Sequence, residues 1–462
     1  MNLRLLRLTP ILGAVLSHAA LLPAAIIGTN IPAKPLTVER IGSLPPARQP
    51  AWRKYLDRSS RQMQTDQAYL ASELRQHKFR KAITPPQGND VRSIPLNRPA
   101  EWYGQADGLR IADIILSFQT PAGGWSKNLD MSAHRRAPGE HFAPGNASRH
   151  VSQGDFDEPL NENWHYVGTF DNDATITQLR YLAKVIVALK SSAVQPYRKA
   201  FLHGLDYIFA AQYPNGGWPQ VWPLEGGYHD AITFNDDAMI NVLRLLREVA
   251  EGKEDFAFVP AKAHKLADAS VRRGIECILA AQIVVEVEKT DGGRAGRALE
   301  LGRIGPSGRV ERRTVWCQQH DSLTLEPASA RNYEMPSLAS AESAQIAMFL
   351  MELPNPDRET AAAIRAAAAW FDKTKIHDVA FGFTAGEGRR LVSAPGNGPL
   401  WSRYCEIGSD RPIFGDRDKT IHDTVDEISQ ERRNGYGWYR DTPQRALERY
   451  AAWEKEHPKI RM

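Results

Sequence analysis

Residues 165–185 read HYVGTFDNDATITQLRYLAKV, and residues 229–249 read HDAITFNDDAMINVLRLLREV. The two segments align without a gap. Each runs from a histidine through Thr-Phe and an acidic turn into an apolar pattern with helical spacing. Each is also preceded by a Gln-x-Pro-x-Gly-Gly-Trp string, QTPAGGW at 119–125 and QYPNGGW at 212–218, that follows another apolar helical stretch. Proline cannot continue that helix, and the glycine pair lets the chain leave it through positive φ. The repeated unit is therefore a helical hairpin. A fainter third copy has GIECILAAQI at 274–283, a loop ending in VWCQQHD at 315–321, and SLASAESAQIAMFLMEL at 337–353. Repeated hairpins close into a barrel of helices or stack as a solenoid.

The remaining pattern agrees with a mostly α domain. An amphipathic helix is predicted over 51–76, and further helices over 104–117, 173–191, 197–212, 237–250, 261–282, 341–352 and 358–372. Strict period-2 alternation is nearly absent. The first 30 residues carry Arg4 and Arg7, no acid, and the apolar run PILGAVLSHAALLPAA, which reads as an export signal. Ser17, His18 and Pro23 interrupt that run, which argues against a membrane anchor. Residues 31–50 are proline-rich and read as an extended tether, with the folded domain at 51–450 and its N-terminal helical part at about 51–100.

Composition narrows the partners. The chain has 462 residues and 42% hydrophobic content, enough for a large core. Its 58 basic residues nearly match its 54 acidic ones, giving a net charge of only +4, so neither a nucleic-acid partner nor a stable membrane partner is expected. The expected state is a monomer. Cys277, Cys317 and Cys405 make no disulfide framework, and no Cys/His cluster has zinc-ligand spacing.

Asp173 and Asp237 occupy matching places just before a helix and read as N-caps. Asp171 and Asp236 lie where the copies diverge yet stay acidic, so they are the better functional candidates. Carboxylates and amide oxygens facing one cleft suit a hard cation such as calcium. His165, His229 and His320 recur in equivalent loops; such histidines are more often hydrogen-bonded structural groups, and all three are kept as candidates for polar contact, His320 with a substrate. Arg331 sits in a loop before the third hairpin's second helix. Arg403, Arg411, Arg417, Arg432 and Arg433 lie beside Tyr404, Phe414, Tyr436, Trp438 and Tyr439. Guanidinium forks and flat rings together recognise an acidic sugar chain.

The strings GGWSKNLDM, TFDNDAT, QYPNGGWPQVWPLEGGYHDAITFNDDAM, WCQQHDSLTLEPASARNYEMPS, RPIFGDRD and ERRNGYGWY resemble the pectate lyases of polysaccharide lyase family 10, in order, over about residues 51–445. The resemblance implies an α/α toroid, an incomplete α/α barrel of helical hairpins with irregular loops and short strands. It also implies secretion from a bacterium, to the periplasm or beyond, and calcium-assisted β-elimination of α-1,4-linked polygalacturonate to 4,5-unsaturated oligogalacturonides. Carried over by position, Arg331 matches the arginine that abstracts the C5 proton. Asp171 and Asp236, with Asp130 as a third, match acids associated with calcium and substrate. Lys127 and Asn128 match a Lys-Asn pair facing the substrate, with Trp125, Trp218, His320, Arg411, Arg417, Arg432, Arg433 and Tyr436 as further contacts.

A free guanidinium stays protonated above pH ~12, so a basic role for Arg331 needs its pKa lowered. The chain departs from the family pattern at Ser126, where proline is expected, at the extra acid Asp173, and in an added loop at 286–313 before Trp316. Two other readings compete. One is a glycoside hydrolase using Asp171 and Asp236 as acid and base. The other is a non-catalytic carbohydrate-binding protein that keeps Trp125, Trp218 and the arginines.

Overall fold

The computed structural model describes residues 26–458 except 89, 146–149, 190–191, 288–301 and 305–309. The apolar run at 10–25 and most of the added loop lie outside these residues. Eleven helices are described: α1 (Val38–Gly42), α2 (Gln49–Gln76), α3 (Ala106–Ser117), α4 (Ile176–Ala188), α5 (Gln195–Ala211), α6 (Ala238–Glu251), α7 (Ala261–Ala281), α8 (Ser340–Met351), α9 (Arg358–Lys373), α10 (Gln430–Gly435) and α11 (Thr442–Glu456). The protein is mostly α.

The helices fall into two layers, as the repeat requires. One layer runs α3, α5, α7, α9, and the other runs α4, α6, α8, α11, with each member touching the next. The arc does not close into a barrel. The main core fills the space between the layers, with Leu179, Leu182, Leu243, Leu246, Phe349 and Trp370 among its buried side chains.

The opening glycine motif is a clamp between neighbouring hairpins. Gln119 Nε2 donates to Gly123 O and to Ala200 O of α5, each at 2.9 Å. Gln212 repeats this on Gly216 O and Ser270 O of α7, at 2.9 and 3.0 Å. Gln282 does so on Thr314 O and Ala363 O of α9, at 3.0 and 3.1 Å. Each clamp has its tryptophan: the indole N–H of Trp125 donates to Ile115 O, that of Trp218 to Ile208 O, and that of Trp316 to Ile278 O. Glycine is needed in the turn because a Cβ on Gly216, at φ 95°, would stand 2.0 Å from Arg273 O.

Clamp glutamine and tryptophan are six positions apart in the first two copies and 34 apart in the third. There the Gly-Gly turn is replaced by an antiparallel sheet in which Val310–Arg313 lies between Val284–Val287 and Gly302–Ile304.

Two expectations from the sequence change. Residues 31–50 do not hang as an extended tether: they include α1, Leu36 and Ile41 are buried, and Arg40 pairs with Asp321 at 2.5 Å. The strand Ile26–Thr29, inside the span read as export signal, pairs antiparallel with Thr420–His422. Secondly, neither Asp173 nor Asp237 caps a helix through its side chain. Thr175 holds the N-cap position of α4, and Asp237 holds that of α6 without a side-chain capping bond. Both acids lie instead in turns of unusual backbone. Asn172, Asp173 and Thr175 have φ of 50°, 61° and 67°, and Asp236 and Asp237 have 47° and 60°. Consecutive non-glycine residues at positive φ are costly, and they persist where the surroundings impose them, most often at functional sites.

Candidate active site

The two strained turns face each other and form one side of a polar cleft. Short strands bring the other side. Ile232–Thr233 pairs with Gln319–His320, which pairs with Pro327–Ala328 and so delivers the loop carrying Arg331. Leu338–Ala339 pairs with Tyr404–Cys405, which places Arg403 behind the turns. Lys127, Asp171, Asp236 and Arg331, four residues chosen from sequence, converge here with Asn172, Gln220, Gln319 and Glu334.

The charges in this cleft are unevenly satisfied. Lys127 Nζ forms an ion pair with Asp171 Oδ2 and lies 3.4 Å from the centre of the Tyr166 ring. Burial opposes ionisation of Asp171, but Lys127, a hydrogen bond from Gln220 and the charge of Arg331 outweigh it, so its pKa is lowered. Its other oxygen, Oδ1, is buried without a hydrogen-bond partner. Asp236 has no such lysine. Burial first, then the negative charge of Asp171, push its carboxyl up to about 6. Asp237 rises to about 7 through burial and Glu342. A cleft holding two carboxylates, one under-bonded and one reluctant to ionise, favours added positive charge.

Arg331 is one-third exposed at the cleft and grips the buried carboxylate of Glu334, with Nε 2.8 Å from Oε2 and Nη2 2.7 Å from Oε1. Burial works against the guanidinium, but Glu334 holds its pKa well above the ordinary value. Glu334 itself is held at about 2 by Arg331 and by the Tyr436 hydroxyl, which donates to it at 2.6 Å, despite its burial. Behind the acidic turns, Arg403 donates to Glu342 at 2.6 Å and to Asn235 Oδ1 at 3.2 Å, and Asn235 Nδ2 donates to Asp236 at 3.1 Å.

Other residues selected from sequence lie elsewhere. Trp125 and Trp218 are fully buried with their N–H groups used in the clamps, so they are scaffold and offer no face to a sugar. His320 is buried too. Its Nε2 accepts from Cys317 N–H at 3.2 Å, so Nδ1 carries the proton and donates to Leu325 O, and burial lowers its pKa to about 4. Asp130 Oδ1 closes a local turn, accepting from Ser132 N, Ser132 Oγ and Ala133 N, away from the other two acids. Asn128 has φ 63° and its carbonyl accepts from Gly88 N–H. Arg411 pairs with Glu406, and Arg433 with Asp426. Arg417 and Arg432 share Glu431 and stand over Tyr333, whose ring also lies under Arg331, while Tyr436 acts through Glu334.

Sequence reasoning missed Tyr166, Tyr228, Gln220 and Glu334. For Glu334 a signal existed, an acid three residues after Arg331 in the same loop. It also picked out His165 and His229 without Asp157, with which they form a buried group next to the cleft whose possible metal-ligating atoms lie within 4.8 Å of one another.

An open helical toroid of clamped hairpins, with a cleft that combines paired carboxylates, a lysine and an arginine, is the architecture of a polysaccharide lyase. The model of the pectic acid lyase family matches residues 119–295 and 308–447, and the chain belongs to that family. It is similar to the family 10 polysaccharide lyase from Cellvibrio cellulosa, with 28% identity, a TM-score of 0.58, and coverage of 80% of this chain and 98% of that one. It is likewise similar to an Asp-to-Ala variant of a family 10 polysaccharide lyase from the same organism in complex with trigalacturonic acid, with 27% identity, a TM-score of 0.58, and coverage of 80% and 99%. No curated protein sequence matches it.

Proposed function

We propose that this lyase cleaves α-1,4-linked polygalacturonate by calcium-assisted β-elimination, releasing 4,5-unsaturated oligogalacturonides. The observation that carries the reading is the meeting of Asp171, Asp236, Lys127 and Arg331 in one cleft. The trigalacturonic acid bound by a relative supports the substrate class. The donor set also fits a hard cation: Asp171 Oδ1 lacks a partner, Asp236 is reluctant to ionise beside it, and amide oxygens stand nearby. Bound there, calcium supplies positive charge that neutralises a uronate carboxylate and acidifies the adjacent C5–H.

The protein's own groups supply the rest. Lys127, held by Asp171 and seated on Tyr166, presents a fixed ammonium to the same carboxylate. Arg331 lines the cleft and, in its neutral form, would take the C5 proton as the C4–O bond breaks; the C5–H electron pair becomes the C4=C5 double bond, and the C4–O pair leaves on the glycosidic oxygen, which takes a proton from solvent. Glu334 opposes this by stabilising the guanidinium. Positive charge gathered in the loaded cleft works in the other direction and lowers its affinity for a proton. Export to the periplasm or beyond belongs to the same proposal, on the strength of residues 1–25, with the signal ending before the paired strand at Ile26.

The test is incubation with polygalacturonate with and without a calcium chelator, following the ultraviolet absorbance of the 4,5-unsaturated uronide. Absorbance that rises with the protein and stops with the chelator is expected. Reducing ends formed without that absorbance would identify a hydrolase instead.

A further inference from the structure

The two histidines that open the duplicated segments, His165 and His229, have no part in the cleft chemistry, yet the fold brings them together. Their rings meet edge to face with centres 5.2 Å apart, and both side chains are at most 5% exposed. Glu225 Oε1 lies 3.3 Å from His165 Nδ1 and 2.9 Å from His229 Nδ1. One carboxylate thus faces the Nδ1 side of both rings. That arrangement turns the Nδ1 side of each ring toward Glu225 and aims both Nε2 atoms at Asp157. Burial opposes charge on His229, yet the same two carboxylates raise its pKa, so the point favours positive charge.

Both Nε2 atoms are buried without a hydrogen-bond partner. Each stands 3.7 Å from the same oxygen, Oδ1 of Asp157, too far for a hydrogen bond. Two ring nitrogens and a carboxylate oxygen converging on one buried point call for positive charge between them, and a metal ion supplies it in place of a proton. Ligands about 2.0–2.1 Å from a tetrahedral zinc stand roughly 3.3 Å from each other, so each nitrogen-to-Asp157 spacing needs to contract by only a few tenths of an ångström, within a group whose ligand atoms span at most 4.8 Å. A histidine ligand whose other nitrogen faces a carboxylate is also the usual outer arrangement of zinc sites.

We propose that Asp157, His165 and His229 bind a borderline divalent metal of the zinc class, with Glu225 orienting both rings. Nitrogen ligands separate this site from the all-oxygen calcium set at Asp171 and Asp236. Its place gives the metal a positioning role. Tyr228 donates to Asp157 and Tyr166 N–H donates to Glu225 at 2.9 Å, and both tyrosines line the cleft, with Lys127 seated on Tyr166. The metal would fix the wall that holds Lys127.

Full-length protein, stripped with a chelator and dialysed, is titrated with zinc or cobalt(II) in the presence of excess calcium, which fills the oxygen site. One equivalent should bind, and cobalt should give the visible absorption of a low-coordinate site. X-ray absorption at the zinc edge of the wild-type protein should show two imidazoles at about 2.0–2.1 Å. Glu225→Gln should weaken binding about 10–100-fold, and His229→Gln should abolish it. Failure of wild type to take up one equivalent, or a zinc shell of oxygen alone, overturns the proposal. These readouts need no polysaccharide, so they stand apart from the outcome of the lyase assay.

Discussion

Arg331 and Glu334, three residues apart on one loop, are joined by two parallel hydrogen bonds of 2.8 and 2.7 Å, with the carboxylate almost wholly buried and the guanidinium open to the cleft. The pair therefore has a structural end and a chemical end, and substitutions separate them. Arg331→Ala leaves a buried carboxylate held only by the Tyr436 hydroxyl and the backbone N–H of residue 331, and should cost about 3 kcal/mol, because breaking one side of a buried pair strands the other charge. Arg331→Lys retains the charge, so its melting temperature should stay within a few degrees of wild type. Activity on polygalacturonate should fall at least about a thousandfold in both. Near-normal turnover in Arg331→Lys would remove Arg331 from the chemistry.

The same pair sets an acid limit on stability. Glu334 has a folded pKa of about 2, below the 4.5 of an unperturbed glutamate. The unfolded chain therefore takes up protons first as pH falls. Its stabilisation is complete above pH 4.5 and drains away between about 4.5 and 2, on the order of 3 kcal/mol. Urea unfolding at stepped pH should show this decline. Glu334→Gln should be less stable at neutral pH and lose less on acidification.

Asp236 behaves in the opposite sense. Its folded pKa is raised from 3.8 to about 6, so the folded protein holds this proton more tightly than the unfolded chain does. A cation must displace that proton. Calcium affinity, measured by calorimetry, should therefore be constant above about pH 7 and weaken as pH falls through 6. Asp236→Asn should bind calcium more weakly and lose the dependence centred near 6.

Trp125→Phe tests the division between scaffold and site. The change leaves Ile115 O with only the Phe118 N–H bond and opens a void in the core, a loss of roughly 2–4 kcal/mol. KM for the polymer should not change at temperatures where the variant is folded. A selective rise in KM would show that the indole contacts the chain after all.

Most of the helical frame was legible because repeated hairpins write their period twice. The helices predicted over 51–76, 261–282 and 358–372 are α2, α7 and α9 to within two residues. Lys127, Asp171, Asp236 and Arg331 could be picked out by their motifs, since each lies on a turn the repeats make conspicuous. Distance in sequence hid the rest. Asp157, His165 and His229 are joined only by folding, so no spacing rule reveals them. Trp125 and Trp218 misled because a repeated tryptophan looks the same whether it packs or stacks. The cap reading missed at Asp173, since Thr175 is the N-cap of the helix that follows, and held at Asp237 in position only, since that residue is the N-cap at φ 60° but makes no side-chain bond to the helix.

The glutamine–tryptophan clamps give the fold a kind of socket. Both ends of each inter-helix segment are fastened to helices by side chains outside the segment itself, so its length and content are free to vary. The first two sockets hold a minimal turn, while the third accepts a whole sheet with the same Gln282 and Trp316 bonds intact. Such a molecule can acquire new surface by insertion at any of three addresses without renegotiating its core. Grafting foreign loops between those two anchors is a direct route to enlarging the frame while leaving Arg331 where it is.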